Sequence, residues 1–319
     1  MLGGTLLLGR TLGTRAQTAN TIRRIGALGL GALPSPEDIH RIYAPLRELG
    51  WIDGQNLMVE RRYARGKAEL LQAYAEELVR LNVEIIVTNG TPAALAAKSA
   101  TTRIPIVMAS SGDPIRAGLV ASLANPGGNI TGYSTFSTEL NAKRLALLHE
   151  LLPTVRRVGV LVNPENSTFE IAREEYERVC RSLSIRPIFV NVSAAGEIEG
   201  AVSDAARRGA EALDFPVDSL FYSNRVVTMR AALRHALPTI VGDRDILEAG
   251  GLLSLSIDEA EAYRTLAYFL DKILRGAKPA DLAVQQPSKF VLAINLKTAK
   301  TLGLTIPQSL LARADEVIQ

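Results

Sequence analysis

The groups in this chain that are able to do chemistry are hydroxyls and carboxylates placed directly after short apolar runs. Residues 84–88 (EIIVT) lead into Asn89-Gly90-Thr91-Pro92, and residues 104–109 (IPIVMA) lead into Ser110-Ser111-Gly112-Asp113-Pro114. Residues 157–162 (RVGVLV) end at Asn163, residues 212–217 end at Asp218, and residues 238–241 are followed by Gly242-Asp243-Arg244. Short apolar runs bounded by turn residues predict buried parallel strands. In open α/β sheets the carboxyl ends of such strands hold ligands. The chemistry is that of binding. Free N–H groups at the start of a helix, with the Thr91 hydroxyl, suit a carboxylate; alternatively Thr91 caps the helix with Pro92 at its first position. Ser110 and Ser111 stand at the next strand end. Asp113 either accepts an ammonium or hydroxyl or caps its own helix. Asn163 contacts a ligand or shapes the Asn-Pro turn, and Asp218 accepts from a ligand or caps the helix beginning at Ser219. Asp243 and Arg244 predict a site or a salt bridge across a cleft.

Catalytic constellations are missing from the sequence. His40, His149 and His235 share no short spacing, lie in charged helical contexts and are expected at the surface. There is no metal-ligand spacing, nucleophile elbow or phosphate loop. Residues 26–31 (GALGLG) depart from the dinucleotide spacing and run into a proline-containing loop. No enzyme activity, cofactor or metal is expected. Cys180 is the single cysteine, which excludes an intrachain disulfide. The formal net charge of +3 comes without any Lys/Arg run, so a nucleic-acid partner is not expected. No run of about 18 apolar residues predicts a membrane-spanning helix.

The elements that must position these groups alternate strictly. Strand signals at 24–30, 57–63, 84–88 and 104–109 are interleaved with helix signals at 38–50, 70–81, from 91, and 115–123. A second series follows the Asn125-Pro126-Gly127-Gly128-Asn129 turn. Its helices are predicted at 138–152, to about 183 from a capping box at Ser167-Thr168-Phe169-Glu170, at 197–208 and at 219–235. Its strands are predicted at 157–162, 187–192, 212–217 and 238–241. Beyond Gly250-Gly251 come a run at 252–257, a helix whose apolar stripe includes Tyr263, Leu266, Leu270 and Ile273, and a strand at 290–296. At 319 residues two cores are expected. Two βα series predict an α/β fold of two doubly wound parallel-sheet lobes.

Ordered motifs then carry a family resemblance over nearly the whole chain. They are LRELGW at 46–51 with GQNL at 54–57, GTPAALA at 90–96, and DP at 113–114 with GLVASL at 118–123. PGGN at 126–129, EAGGL at 248–252, DKIL at 271–274 with GA at 276–277, and INLKTA at 294–299 complete the set. The chain resembles the ABC transporter substrate-binding proteins of the tryptophan/tyrosine type, which have the type I periplasmic-binding-protein fold. The resemblance implies lobes joined by a multi-strand hinge, with residues 21–130 plus 252–280 in lobe one and 131–251 plus 281–319 in lobe two. It implies that Tyr133 and Ser134 face the ligand from the first crossover, with Tyr133 stacking on a ring or packing in the hinge. It also implies an exported, periplasmic, monomeric protein that passes a small organic solute, amino-acid-like or a small carboxylate, to an ABC permease. A sensor presenting its closed form to a membrane signalling protein is the alternative. Residues 1–20 resemble the latter part of an export signal, with cleavage near Ala16; a disordered tail is the alternative. The chain departs from the family at Val241, Asp243 and Leu255, where relatives often carry aromatic rings, so an aromatic ligand is not implied.

Overall fold

The structure is a computed structural model describing residues 22–135, 137–166 and 168–319. The expected export signal and the capping serine Ser167 lie outside the described residues. One parallel sheet has the order β2-β1-β3-β4-β5, from β1 (Arg23–Gly29), β2 (Leu57–Tyr63), β3 (Ile85–Asn89), β4 (Ile106–Ser111) and β5 (Ile130–Ser134). A second sheet is built from β6 (Arg157–Val162), β7 (Arg186–Asn191), β8 (Ala212–Asp214), β9 (Thr239–Val241), β10 (Leu253–Ile257), β11 (Phe290–Asn295) and β12 (Glu316–Ile318). Its order is β12-β11-β10-β9-β8-β6-β7, and only β10 and β11 pair antiparallel.

Helices cover both faces of the first sheet, which is why its strands read as continuous apolar runs. Alternate residues separate onto the two faces. Leu28, Ile86, Ile106 and Met108 pack with Leu78 and Ala94. Ile25, Ala27, Ile85 and Val107 pack instead with Phe269, Leu270 and Ile273 from the helix Glu259–Leu274. That helix is remote in sequence, yet its apolar stripe completes the first core. Trp51 Nε1 donates to Asp271 Oδ1 at 2.9 Å and ties it down.

The chain passes between lobes at closely spaced points. β5 leads to the helix Ser137–Leu151, β10 leads back to Glu259–Leu274, and the segment ending at Gln285 runs beside β5 before entering β11. Gln285 N donates to Gly132 O at 2.9 Å, Ser134 N donates to Gln285 O at 2.9 Å, and Thr131 Oγ1 donates to Leu282 O at 2.6 Å.

Several expectations are corrected. Residues 252–257, expected in lobe one, form β10 in the second sheet, where Leu253 pairs with Ile240 and with Ile294. Residues 281–285, expected in lobe two, pair along β5. No helix forms over 115–123. Gly118 adopts φ +67°, and hydrogen bonds from Ala117 N to Asp113 O and Gly118 N to Ile115 O close turns instead. The helix over 219–235 is split at Asn224 (φ −113°) into Ser219–Ser223 and Arg225–Arg234. His149 is half-buried, unlike the exposed His40 and His235. β12, only 3 residues long, is too short for a periodic signal.

Phe269 is 0% exposed in the first core. Phe269→Ala is expected to cost about 3–5 kcal/mol through lost transfer energy and a residual cavity. Urea unfolding followed by Trp51 fluorescence, the tryptophan being packed on the same helix, measures this.

Candidate functional site

The carboxyl ends of both parallel sheets face one cleft, which encloses a cavity of about 550 Å³. Lobe one contributes the ends of β3 and β4. Gly90 holds φ +88°, a conformation that favours glycine, and starts the helix Thr91–Ala100. Thr91 is thus the first residue of the helix and not its cap, and its hydroxyl is free for other partners. Gly112 N donates to Thr91 Oγ1 at 3.3 Å, and Thr91 Oγ1 and Ser111 Oγ lie 3.1 Å apart. Two hydroxyls sharing one bond leave one hydroxyl hydrogen unspent. The first-turn N–H groups of the helix lack intrahelical partners as well. Ser110 also lines the cavity. Its hydroxyl donates to Asn89 Oδ1 at 2.9 Å and accepts from Gly90 N at 3.2 Å, so it braces the loop.

Lobe two contributes carboxylates. Asp218 caps the helix Ser219–Ser223 through Leu220 N at 2.7 Å and receives Asn166 Nδ2 at 2.6 Å and Asn163 Nδ2 at 3.4 Å. The two readings of Asp218 therefore coexist: one carboxylate caps its helix and borders the cavity. Asp243 caps Arg244–Glu248 through Asp245 N at 2.8 Å and Ile246 N at 3.4 Å, both on Oδ1. It borders the same cavity. Burial, with Glu259 and Asp245 nearby, pushes its carboxyl up to about 7 against the pull of the two backbone N–H groups.

Other expected site residues lie elsewhere. Asp113 is outside the cavity lining and caps its own turn, its Oδ1 accepting from Arg116 N at 3.0 Å. Tyr133 is 1% exposed, and its hydroxyl is buried without a partner, so the ring packs in the hinge. Ser134 is buried and donates to Gly112 O at 3.3 Å. Asn163 is buried behind Asp218 and orients it. Arg244 makes no cross-cleft salt bridge, because its guanidinium is taken by Glu248 and Glu316 of its own lobe. Among the described residues the pairs that span the cleft are Arg41–Asp245 at 3.8 Å and Arg116–Glu174 at 3.0 Å. A methyl group added to Gly31 would stand 3.0 Å from Ser219 Cβ, so the lobes are in contact here and the cleft is closed.

Sequence reasoning missed the cavity residues Tyr43, Tyr63, Tyr222, Tyr263, Arg41 and Glu259. Glu259 and Tyr263 sit one turn apart on one helix, with the Tyr263 hydroxyl 3.5 Å from Glu259 Oε2. An (i, i+4) polar pair at the start of an apolar stripe was the available signal. Arg41 carried none. Beneath the lobe-two floor lies a fully buried Arg144, 3.7 Å from Asp214. The position a Cβ would take on Gly242 is 2.8 Å from Arg144 Nη1, so the guanidinium backs the loop that presents Asp243.

The Asp243 shift has a sign. Its ordinary value is about 4, so between about pH 4 and pH 7 the folded protein holds a proton that the unfolded chain releases. This group's contribution to stability therefore grows as pH falls across that window and is lost as pH rises through about 7. Asp214 shifts in the same direction, to about 6, because of burial. Asp243→Asn retains the cap and leaves Asp214 in place. Its melting temperature minus that of the wild type is expected to increase from pH 5 to pH 8. A difference independent of pH would refute the assignment.

Residues 37–318 match the family described as ABC transporter substrate binding protein. A tyrosine-binding protein of Clostridioides difficile strain R20291 is 27% identical over 259 residues, spanning 81% of this chain and 74% of the relative. An ABC domain from Streptococcus pneumonia in complex with L-Trp is 29% identical, covers 93% of this chain and 100% of its own, and superimposes with a TM-score of 0.84. A conserved domain protein from Vibrio cholerae is 27% identical at the same coverage, with a TM-score of 0.87. Two parallel-sheet lobes closed over one cavity are the type I periplasmic-binding-protein fold. With the match running over nearly its whole length, this chain belongs to the ABC transporter substrate-binding protein family.

Proposed function

We propose that the protein is an exported receptor that closes on a small zwitterionic, amino-acid-like solute and delivers it to an ABC permease. The observation that carries this reading is the polarity of the cavity. The Thr91 and Ser111 hydroxyls and the Thr91 N–H at the start of the helix stand on lobe one, and the carboxylates Asp218 and Asp243 stand on lobe two. A carboxylate bound at the first wall and an ammonium bound at the second would bridge the lobes. Such a solute favours the closed form by its differential affinity for it. A cavity of about 550 Å³ lies within the ordinary range for small-molecule sites. The tyrosine and tryptophan named for the relatives belong to this ligand class.

The test is a thermal-shift screen of the purified protein against L-amino acids and small carboxylates, followed by calorimetric titration. A solute that binds only the native state raises the melting temperature. At least one zwitterion is expected to do so. Thr91→Val with Ser111→Ala is expected to weaken it about 10–100-fold, the loss of hydrogen bonds to a charged group. Unchanged affinity in that double variant would remove the lobe-one wall from the site.

A further inference from the structure

Resting on the reading of the cavity as a zwitterion site, we infer that the solute carries a second positive group, held between Asp243 of lobe two and Glu259 at the hinge. The substrate class is then a basic amino acid and not a neutral one. Charge is balanced in number among the cavity-lining residues but not in availability. Arg61 is committed to Asp53 at 2.5 Å, and Arg244 to Glu316 at 2.5 Å, both acids outside the lining. Arg225 donates one N–H to Tyr222 O at 3.0 Å and lies over the Tyr222 ring at 4.9 Å; it has no carboxylate partner among the described residues and does not reach Asp243. Arg41 is divided among Asp38 at 2.8 Å, Glu259 at 3.5 Å and Asp245 at 3.8 Å. One guanidinium therefore serves carboxylates from both walls.

Among the described residues Asp243 receives no side-chain donor; two backbone N–H groups reach it, both on Oδ1. Its second oxygen is an uncommitted acceptor on the cavity wall among the described residues. Glu259 lines the same cavity, and its own carboxyl is raised by burial and by Asp245 despite Arg41. Two desolvated carboxylates, of which Glu259 alone meets Arg41, repel. A ligand ammonium between them removes that cost and gains from the low local dielectric. Tyr222 and Tyr263 line the same cavity and supply aromatic surface suited to a cation. Asp218 differs, with its oxygens occupied by Asn163, Asn166 and Leu220 N, and it suits the fixed end of the solute.

Calorimetric titration of the full-length protein at pH 7.5 tests this with L-lysine, L-ornithine and L-arginine against the neutral isosteres L-norleucine and L-citrulline. At least one basic amino acid is expected to bind more than tenfold tighter than its isostere. Asp243→Asn, which keeps a helix cap, and separately Glu259→Gln, are each expected to reduce that ratio at least tenfold. Repeating the basic-ligand titration at pH 6.5 in buffers of different ionisation enthalpy is expected to show proton release, since the cation returns Asp243 to its ionised form. Equal or tighter binding of the isosteres, or a ratio unchanged in both variants, overturns the inference. Binding of neutral amino acids alone sinks the inference and leaves the proposed function standing. Binding of no amino acid sinks both.

Discussion

Gly132 lies against the backbone of Met108 so closely that no Cβ would fit, and its φ of +135° suits glycine. This one close approach sets the geometry of the crossover. It seats β5 against β4, and it leaves the outer edge of β5 free to take the returning segment through Gln285. The hinge is therefore a backbone-paired bundle and not a flexible linker. Backbone pairing here restricts the lobes to rotation about closely spaced strands, as in hinge closure around ligands. The same pairing brings Ser111, Gly112, Thr135 and Ile257 to the base of the cleft.

Stability and binding pull against each other in lobe two. Arg144 and Asp214 are both fully buried, and Arg144 Nε and Nη1 lack hydrogen-bond partners. Burying such a pair is costly unless every lone pair and proton is matched. Asp214 also accepts from Phe215 N at 2.8 Å, which holds the start of the loop leading to Asp218. Arg144 meanwhile presses on the Gly242 loop. The cluster thus couples the two strand ends that present carboxylates to the cavity. The cross-cleft pair Arg116–Glu174 is a weaker element, since both side chains are largely exposed and such pairs contribute little.

Much of the architecture was legible in the chain because a parallel strand buried on both faces leaves an uninterrupted apolar run. β6 was read to the residue, and most helices to within a few residues. Errors fell where local and distant forces compete. Residues 115–123 have helical periodicity, but Gly118 and the closing turns prevail. Residues 252–257 read as a strand, but nothing local says which sheet will accept it. At the site, strand-end logic led to Gly90, Thr91, Ser110, Ser111, Asp218 and Asp243, all of which border the cavity. Asp113, Tyr133, Ser134 and Asn163, also reached by that logic or by the family resemblance, lie outside the cavity lining, turned toward caps or the hinge.

The sequence by itself determined the alternation of strands and helices, the polar character of the strand ends and the family. These are local properties, carried by hydropathy period, turn residues and ordered motifs. Only the tertiary structure decided that the helix Glu259–Leu274 belongs to the first core while the strand before it belongs to the second sheet. It alone placed Arg41, Glu259 and Asp243 around one cavity. Arg41 is more than two hundred residues from the two carboxylates in sequence, and no pattern within a single element encodes which faces will be opposed when the lobes close.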